Sequence, residues 1–200
     1  MVTRYDTERL VSFMELLHKF QQIERVVHAP DLVRFENDTE HSYSLAMASW
    51  YLVELLHLDL DVSKVLKYAL VHDMVEVYAG DTYVFDTKAK SNKHERESKA
   101  REQLLAEFPD FPSMHLVGLN YESRADNESI FVHAVDKLLP AITNYLQNGH
   151  TWKNLGVSFS QVFTLKRETT QHSPEVAALL EHLIDMYNVD KAHYFGKLTD

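Results

Sequence analysis

Tyr68-Ala69-Leu70-Val71-His72-Asp73-Met74-Val75-Glu76-Val77-Tyr78-Ala79-Gly80-Asp81 is the stretch on which the reading of this chain turns. It is largely apolar, with three ionisable groups, His72, Asp73 and Glu76, set into it. Burying such groups is costly unless they are paired or hold a metal. On a continuous helix Glu76 shares a side with His72 and Asp73, which precede it by one turn. The competing reading is a helix with one polar stripe turned to solvent, and this segment alone leaves the two even. The His-Asp pair by itself says little, because twelve His among 200 residues predict about one such pair by chance.

Working outward, Asp61 or Ser63 opens the helix carrying this stretch, with Val65, Leu66, Ala69 and Leu70 inward and Gly80 as its terminator. Leu10, Phe13, Met14, Leu17 and Phe20 predict a first amphipathic helix over residues 7–25, broken at Ala29-Pro30-Asp31. A connector leads to Asn37-Asp38-Thr39, whose side chains suit the cap of a second helix over residues 40–57. Residues 81–92 have no period and read as a loop, a candidate mobile cover. A charged helix follows over residues 93–107, closed by Pro109 and Pro112, and the stretch before Asp126 is polar. Asp126 caps a long helix ending near Leu146, residues 160–170 make a short one, and Ser173-Pro174 opens the last. No repeat, linker or low-complexity block appears, so the expectation is one all-α domain, a helical bundle over residues 1–200.

Composition narrows the class. Hydrophobic residues at 45% and charged residues at 25% are ordinary globular values. Gly and Pro number five each, too few for a fold built of many tight turns. With no Cys, a transition-metal site must be made of His and carboxylates. No signal-peptide run and no membrane-length apolar stretch is visible, so a cytoplasmic protein with no membrane partner is expected. A formal net charge of −10 repels nucleic-acid polymers, though a bound cation and a few Arg or Lys can still attract a small anion.

Two further segments carry chemistry. Glu36-Asn37-Asp38-Thr39-Glu40-His41-Ser42 puts a His in a first helical turn, and His133-Ala134-Val135-Asp136-Lys137-Leu138-Leu139 puts a carboxylate inside an apolar helix. Singly, His41 reads as structural or solvated and Asp136 as salt-bridged. Together with His72-Asp73 they resemble the HD-domain superfamily of metal-dependent phosphohydrolases, whose pattern is H…HD…D. The runs Glu36 to Ser42 and His72 to Asp81 resemble the "EN…EHS" and "HD..E…GD" signatures of the bacterial 5′-deoxynucleotidase group. Ile23-Glu24-Arg25 is similar to that group's segment bearing a phosphate-orienting arginine.

The resemblance implies an HD-domain bundle in which His41, His72, Asp73 and Asp136 hold one divalent ion. Two His and two carboxylates suit Mn, Co, Zn or Ni, with Mg admitted. It implies hydrolysis of (deoxy)nucleoside 5′-monophosphates. Glu76 would be general acid or base and Arg25 would meet the phosphoryl charge. Arg25, Asp81, Thr82, Asp73 and Asp136 would touch substrate, and the protein would be a homodimer. The chain departs from the group at Val26, where the group has Trp, and at Thr82-Tyr83-Val84-Phe85, where the group has a Pro-containing loop. Chemistry therefore transfers more safely than substrate, and another nucleotide (triphosphate, cyclic or guanosine tetraphosphate) is the alternative. A non-catalytic metal- and nucleotide-sensing module is the rival from another class, and Glu76 argues against it. His133, three residues before Asp136, is a candidate second layer behind the ion.

Overall fold

The computed structural model describes residues 1–83 and 92–196. In chain order the elements are α1 (Arg4–Phe20), β1 (Glu24–His28), β2 (Phe35–Asn37), α2 (Asp38–Leu55), α3 (Val62–Val71) and α4 (Glu76–Ala79). They continue with α5 (Lys93–Glu107), α6 (Pro112–Ser123), α7 (Asn127–Leu146), α8 (His150–Leu155), α9 (Phe159–Thr170), α10 (Pro174–Asn188) and α11 (Lys191–Phe195). The fold is mostly helical, as the sparse turn residues predict.

Caps written in the sequence set most of the helix starts. Reciprocal side-chain and backbone bonds form between Thr3 and Asp6, Asn37 and Glu40, Asp126 and Ser129, and Ser158 and Gln161, each satisfying otherwise unpaired first-turn N–H groups. The long α7 is the axis of the molecule, with α2, α3, α9 and α10 packed against it. Val132, Val135 and Leu138 of α7 meet Leu45, Val65, Phe163, Leu180 and Tyr187, all buried in one cluster. A smaller cluster ties Leu16 and Phe20 of α1 to Leu104 and Phe108 through Met74, beside His72-Asp73. Among the described residues no helix is long and apolar enough to cross a membrane.

Several expectations need correcting. The first helix ends at Phe20, and Arg25 lies on β1, antiparallel to β2 in a small two-stranded sheet. The β-branched pair Val26-Val27 favours extended backbone, and a ribbon this short leaves no periodic trace. The helix expected to run unbroken to Tyr78 ends at Val71, and four turn residues separate it from α4. Pro112, read as a breaker, is the first residue of α6, where its missing N–H costs nothing. The proposed cover over residues 81–92 lies mostly outside the described residues; Asp81, Thr82 and Tyr83 are irregular backbone.

Gly149 joins α7 to α8 with φ +73°, and a Cβ there would stand 1.8 Å from the Tyr194 carbonyl oxygen. Left-handed strain and a backbone clash add, so Gly149→Ala should cost about 2 kcal/mol or more. Thermal unfolding should then show a melting temperature lower by about 5 °C. An unchanged melting temperature would mean that α11 does not pack here as described.

Candidate functional site

Three elements meet at one point. The Asn37–Glu40 cap fixes the first turn of α2 and so aims His41 at α7. His72 terminates α3, and Asp136 sits midway along α7. His41 Nε2 lies 2.9 Å from Asp136 Oδ1. His72 Nε2 lies 2.9 Å from Asp73 Oδ2 and 3.9 Å from Asp136 Oδ1. Donor atoms of His41, His72 and Asp73 all fall within 4.8 Å of one another.

The donor chemistry fits a cation. His72 Nδ1 donates to the Ala69 carbonyl at 2.9 Å, so Nε2 is the ring nitrogen turned to the site; against its burial, Asp73 holds the imidazole above its ordinary pKa. That buried Nε2 faces carboxylate oxygens, with Asp73 Oδ2 the nearer. A proton or a metal cation must stand between that nitrogen and the carboxylate oxygens, and a bound cation would take the proton's place. The carboxylates respond to local cations. Against its burial, His72 and Arg25 hold Asp73 below the ordinary range. Against its own burial, Lys137 and the His41 bond hold Asp136 well below it. Burial and Arg25 push His41 down to about 4, so its ring is neutral and able to offer a lone pair.

A second group of acids adjoins this one. Glu76 N donates to the Asp73 carbonyl at 2.8 Å, and Met74 N to Val71 O at 3.1 Å, a three-residue repeat tighter than the α-helix. With three residues per turn, Asp73 and Glu76 eclipse. Oxygens of Asp38, Asp73 and Glu76 come within 4.8 Å of one another. Burial, then Asp73, Asp38 and Asp81, push the Glu76 carboxyl up to about 11, and among the described residues its Oε2 has no hydrogen-bond partner. Asp38, fully buried, is pushed up to about 7 by burial and by Asp73.

Arg25 holds these acids together from β1. Its Nη1 donates to Asp73 Oδ2 at 2.9 Å and Asp38 Oδ1 at 3.2 Å, and its Nε faces Glu36 Oε2 at 3.6 Å. Arg25, Asp73, Glu76, Asp81, Thr82 and Asp136 line one cavity of about 190 Å³. The Thr82 hydroxyl in that wall accepts from Arg96 Nη2 at 2.8 Å.

The HD-domain sequence family matches residues 17–177. The chain belongs to the HD-domain family. A zebrafish (Danio rerio) protein named 5′-deoxynucleotidase HDDC2 is 25% identical over 96% of this chain and 95% of its own length. The Xenopus laevis protein of that name is 31% identical over 64% of each chain. Among solved structures, a predicted metal-dependent phosphohydrolase from Magnetospirillum magnetotacticum superposes with a TM-score of 0.82 at 29% identity, covering 96% of this chain and 98% of that one. A conserved hypothetical protein from Pyrococcus furiosus, with a TM-score of 0.66 at 24% identity, shares the fold.

For this HD-domain chain, the sequence-named residues His41, His72, Asp73, Asp136, Glu76, Arg25, Asp81 and Thr82 gather around one cluster and its cavity. His133 takes a different partner, Arg124 Nη2 at 3.1 Å. Asp38, Glu36, Lys137 and Lys166 also reach the site and were not singled out. Lys166 did leave a trace. It follows the buried Val162 and Phe163 by one turn, on the inward face of α9.

The position of Arg25 sharpens one expectation. Arg25→Ala removes a phosphate donor and also a counter-cation of Asp73, which leaves more negative charge for a metal. Turnover at low substrate should fall about a hundredfold while bound metal, read by elemental analysis, stays level. Unchanged turnover would make Arg25 a structural clamp only.

Proposed function

We propose that this HD-domain protein is a metal-dependent phosphomonoesterase that removes the phosphate from (deoxy)nucleoside 5′-monophosphates. The observation that carries the reading is the meeting of two imidazoles and two carboxylates at the wall of a cavity that Arg25 and Glu76 also line. The relatives named 5′-deoxynucleotidase and the Magnetospirillum phosphohydrolase support the substrate class. His41, His72, Asp73 and Asp136 would hold the ion, which we take to be Mn, Co, Zn or Ni because half its donors are imidazole nitrogens. When bound, such an ion supplies Lewis acidity and makes water a better nucleophile near neutral pH.

The chain's own groups divide the remaining work. Arg25 Nη2 has no hydrogen bond among the described residues and is the donor left for a phosphoryl oxygen. Glu76, held protonated by burial and by its acidic neighbours, is placed to give its proton to the departing 5′-oxygen. Asp81 accepts from a sugar hydroxyl. The base lies in the adjoining groove beside His28, Phe35 and Tyr83, which take the place of the Trp that Val26 replaces. The described chain works as one domain in the cytoplasm, where nucleotides are met. It does so as a homodimer through the exposed apolar stripe Tyr43, Met47, Trp50, Tyr51 and Leu55 of α2.

A phosphate-release screen of the metal-stripped protein tests this, run over nucleoside mono-, tri- and cyclic phosphates with Mn, Co, Zn, Ni and Mg restored in turn. Monophosphates should be hydrolysed first and only with metal. No turnover with any ion would favour a sensor.

A further inference from the structure

We propose that Lys166 is a phosphate-binding residue of the substrate cavity, pairing with the anionic end of the nucleotide; this deepens the hydrolase reading above and rests on it. The other described cations around the cavity each have a carboxylate partner, and of these Arg25 alone keeps a donor that the proposed function uses. Arg25 is held by Asp73 and Asp38, Lys137 Nζ by Asp136 Oδ2 at 2.6 Å, and Lys93 by Glu97 at 3.3 Å. Lys166 lines the same cavity, and among the described residues no carboxylate lies within ion-pair distance of it. Its one hydrogen bond there runs from Nζ to the Lys137 carbonyl at 2.5 Å. An ammonium has three donors, so two remain for a ligand.

The placement is not one a solvated lysine would take. Helix α9 buries Val162, Phe163 and Thr170, and Lys166 falls on that inward face, directed at α7. A cation sunk against a core without a counter-charge is costly, and an arriving anion removes the cost. Asp136 attracts the ammonium, but less than burial disfavours it. Burial, then Lys137, push it down to about 7. The bond to Lys137 also fixes where Nζ stands, beside the residue that follows Asp136. A phosphate held at the Asp136 end of the cavity would thus meet Lys166, in a cavity that Arg25 also lines.

The test is calorimetric titration of inorganic phosphate into the Mn-loaded full chain, as wild type, Lys166→Met, Lys166→Gln and Lys166→Arg, with thermal melts of each. Lys166→Met and Lys166→Gln should bind phosphate roughly tenfold to a hundredfold more weakly, and Lys166→Arg should keep most of the affinity. Lys166→Gln offers an uncharged N–H donor, so it reads the loss of charge even if Lys166→Met folds poorly. Wild-type affinity in both neutral variants would overturn the proposal and leave Lys166 as a pin between α9 and α7. So would a wild type that binds no phosphate. A wild type that binds phosphate through Lys166 yet hydrolyses no nucleotide would sink the hydrolase reading and leave this one standing.

Discussion

Asp136→Ala should remove metal and activity together, with turnover down by more than about a thousandfold. Asp136 is 3% exposed and carries three contacts at once, to His41 at 2.9 Å, to Lys137 at 2.6 Å and, more distantly, to His72. Its loss takes one negative donor from the ion and leaves Lys137 a cation without its anion beside the same point. Both effects repel a divalent cation, so elemental analysis should find the variant depleted, and excess metal should restore part of the turnover. Breaking a buried pair also destabilises, by about 3–5 kcal/mol when one partner is left uncompensated. Asp136→Asn separates the effects, since it keeps the shape and a hydrogen-bond acceptor for His41. It should melt closer to wild type and still lack metal. An Asp136→Asn protein with full metal content would remove Asp136 from the ligand set.

Glu76→Ala should fail in the opposite manner, keeping its metal while turnover falls about a hundredfold to ten-thousandfold. Glu76 Oε2 has no hydrogen-bond partner among the described residues, and its carboxyl is raised to about 11 by burial and by Asp73, Asp38 and Asp81. A group that holds its proton this firmly is a poor metal donor and still carries, at neutral pH, the proton that a leaving oxygen would take. Substrate binding should survive well enough to trap a nucleotide in a crystal of the variant. The same burial predicts that the isosteric Glu76→Gln costs no heat stability, because the folded state gains nothing from ionising this carboxyl. A metal-free Glu76 variant would make Glu76 a ligand. Full activity would send the proton to another group, with Asp81 next in line.

Local sequence was enough for most of the long helices, though not for Pro112–Ser123 or the short helices after Gly149 and Asp190. Asn37 and Asp126 announce two of them, because a cap is a local exchange of hydrogen bonds among residues three apart. It also marked His41, His72, Asp73, Asp136 and Glu76, because ionisable groups set in apolar stretches need a partner and the joint motif is rare by chance. The tertiary structure alone decided the rest. Helix α3 stops at Val71, and the tighter turn that follows eclipses Asp73 with Glu76 while Met74 is buried in one cluster with Leu16, Phe20 and Leu104. Arg25 became a clamp on Asp73 and Asp38 only when the β1–β2 ribbon laid it across the site. Asp38 reads as one more capping residue until α2 docks and buries it fully. Lys166 lies thirty residues beyond Asp136 and gains its meaning from α9 crossing α7. Charge and cavity are properties of what lies within a few ångströms in space, and local periodicity records only the face a residue occupies on its own helix.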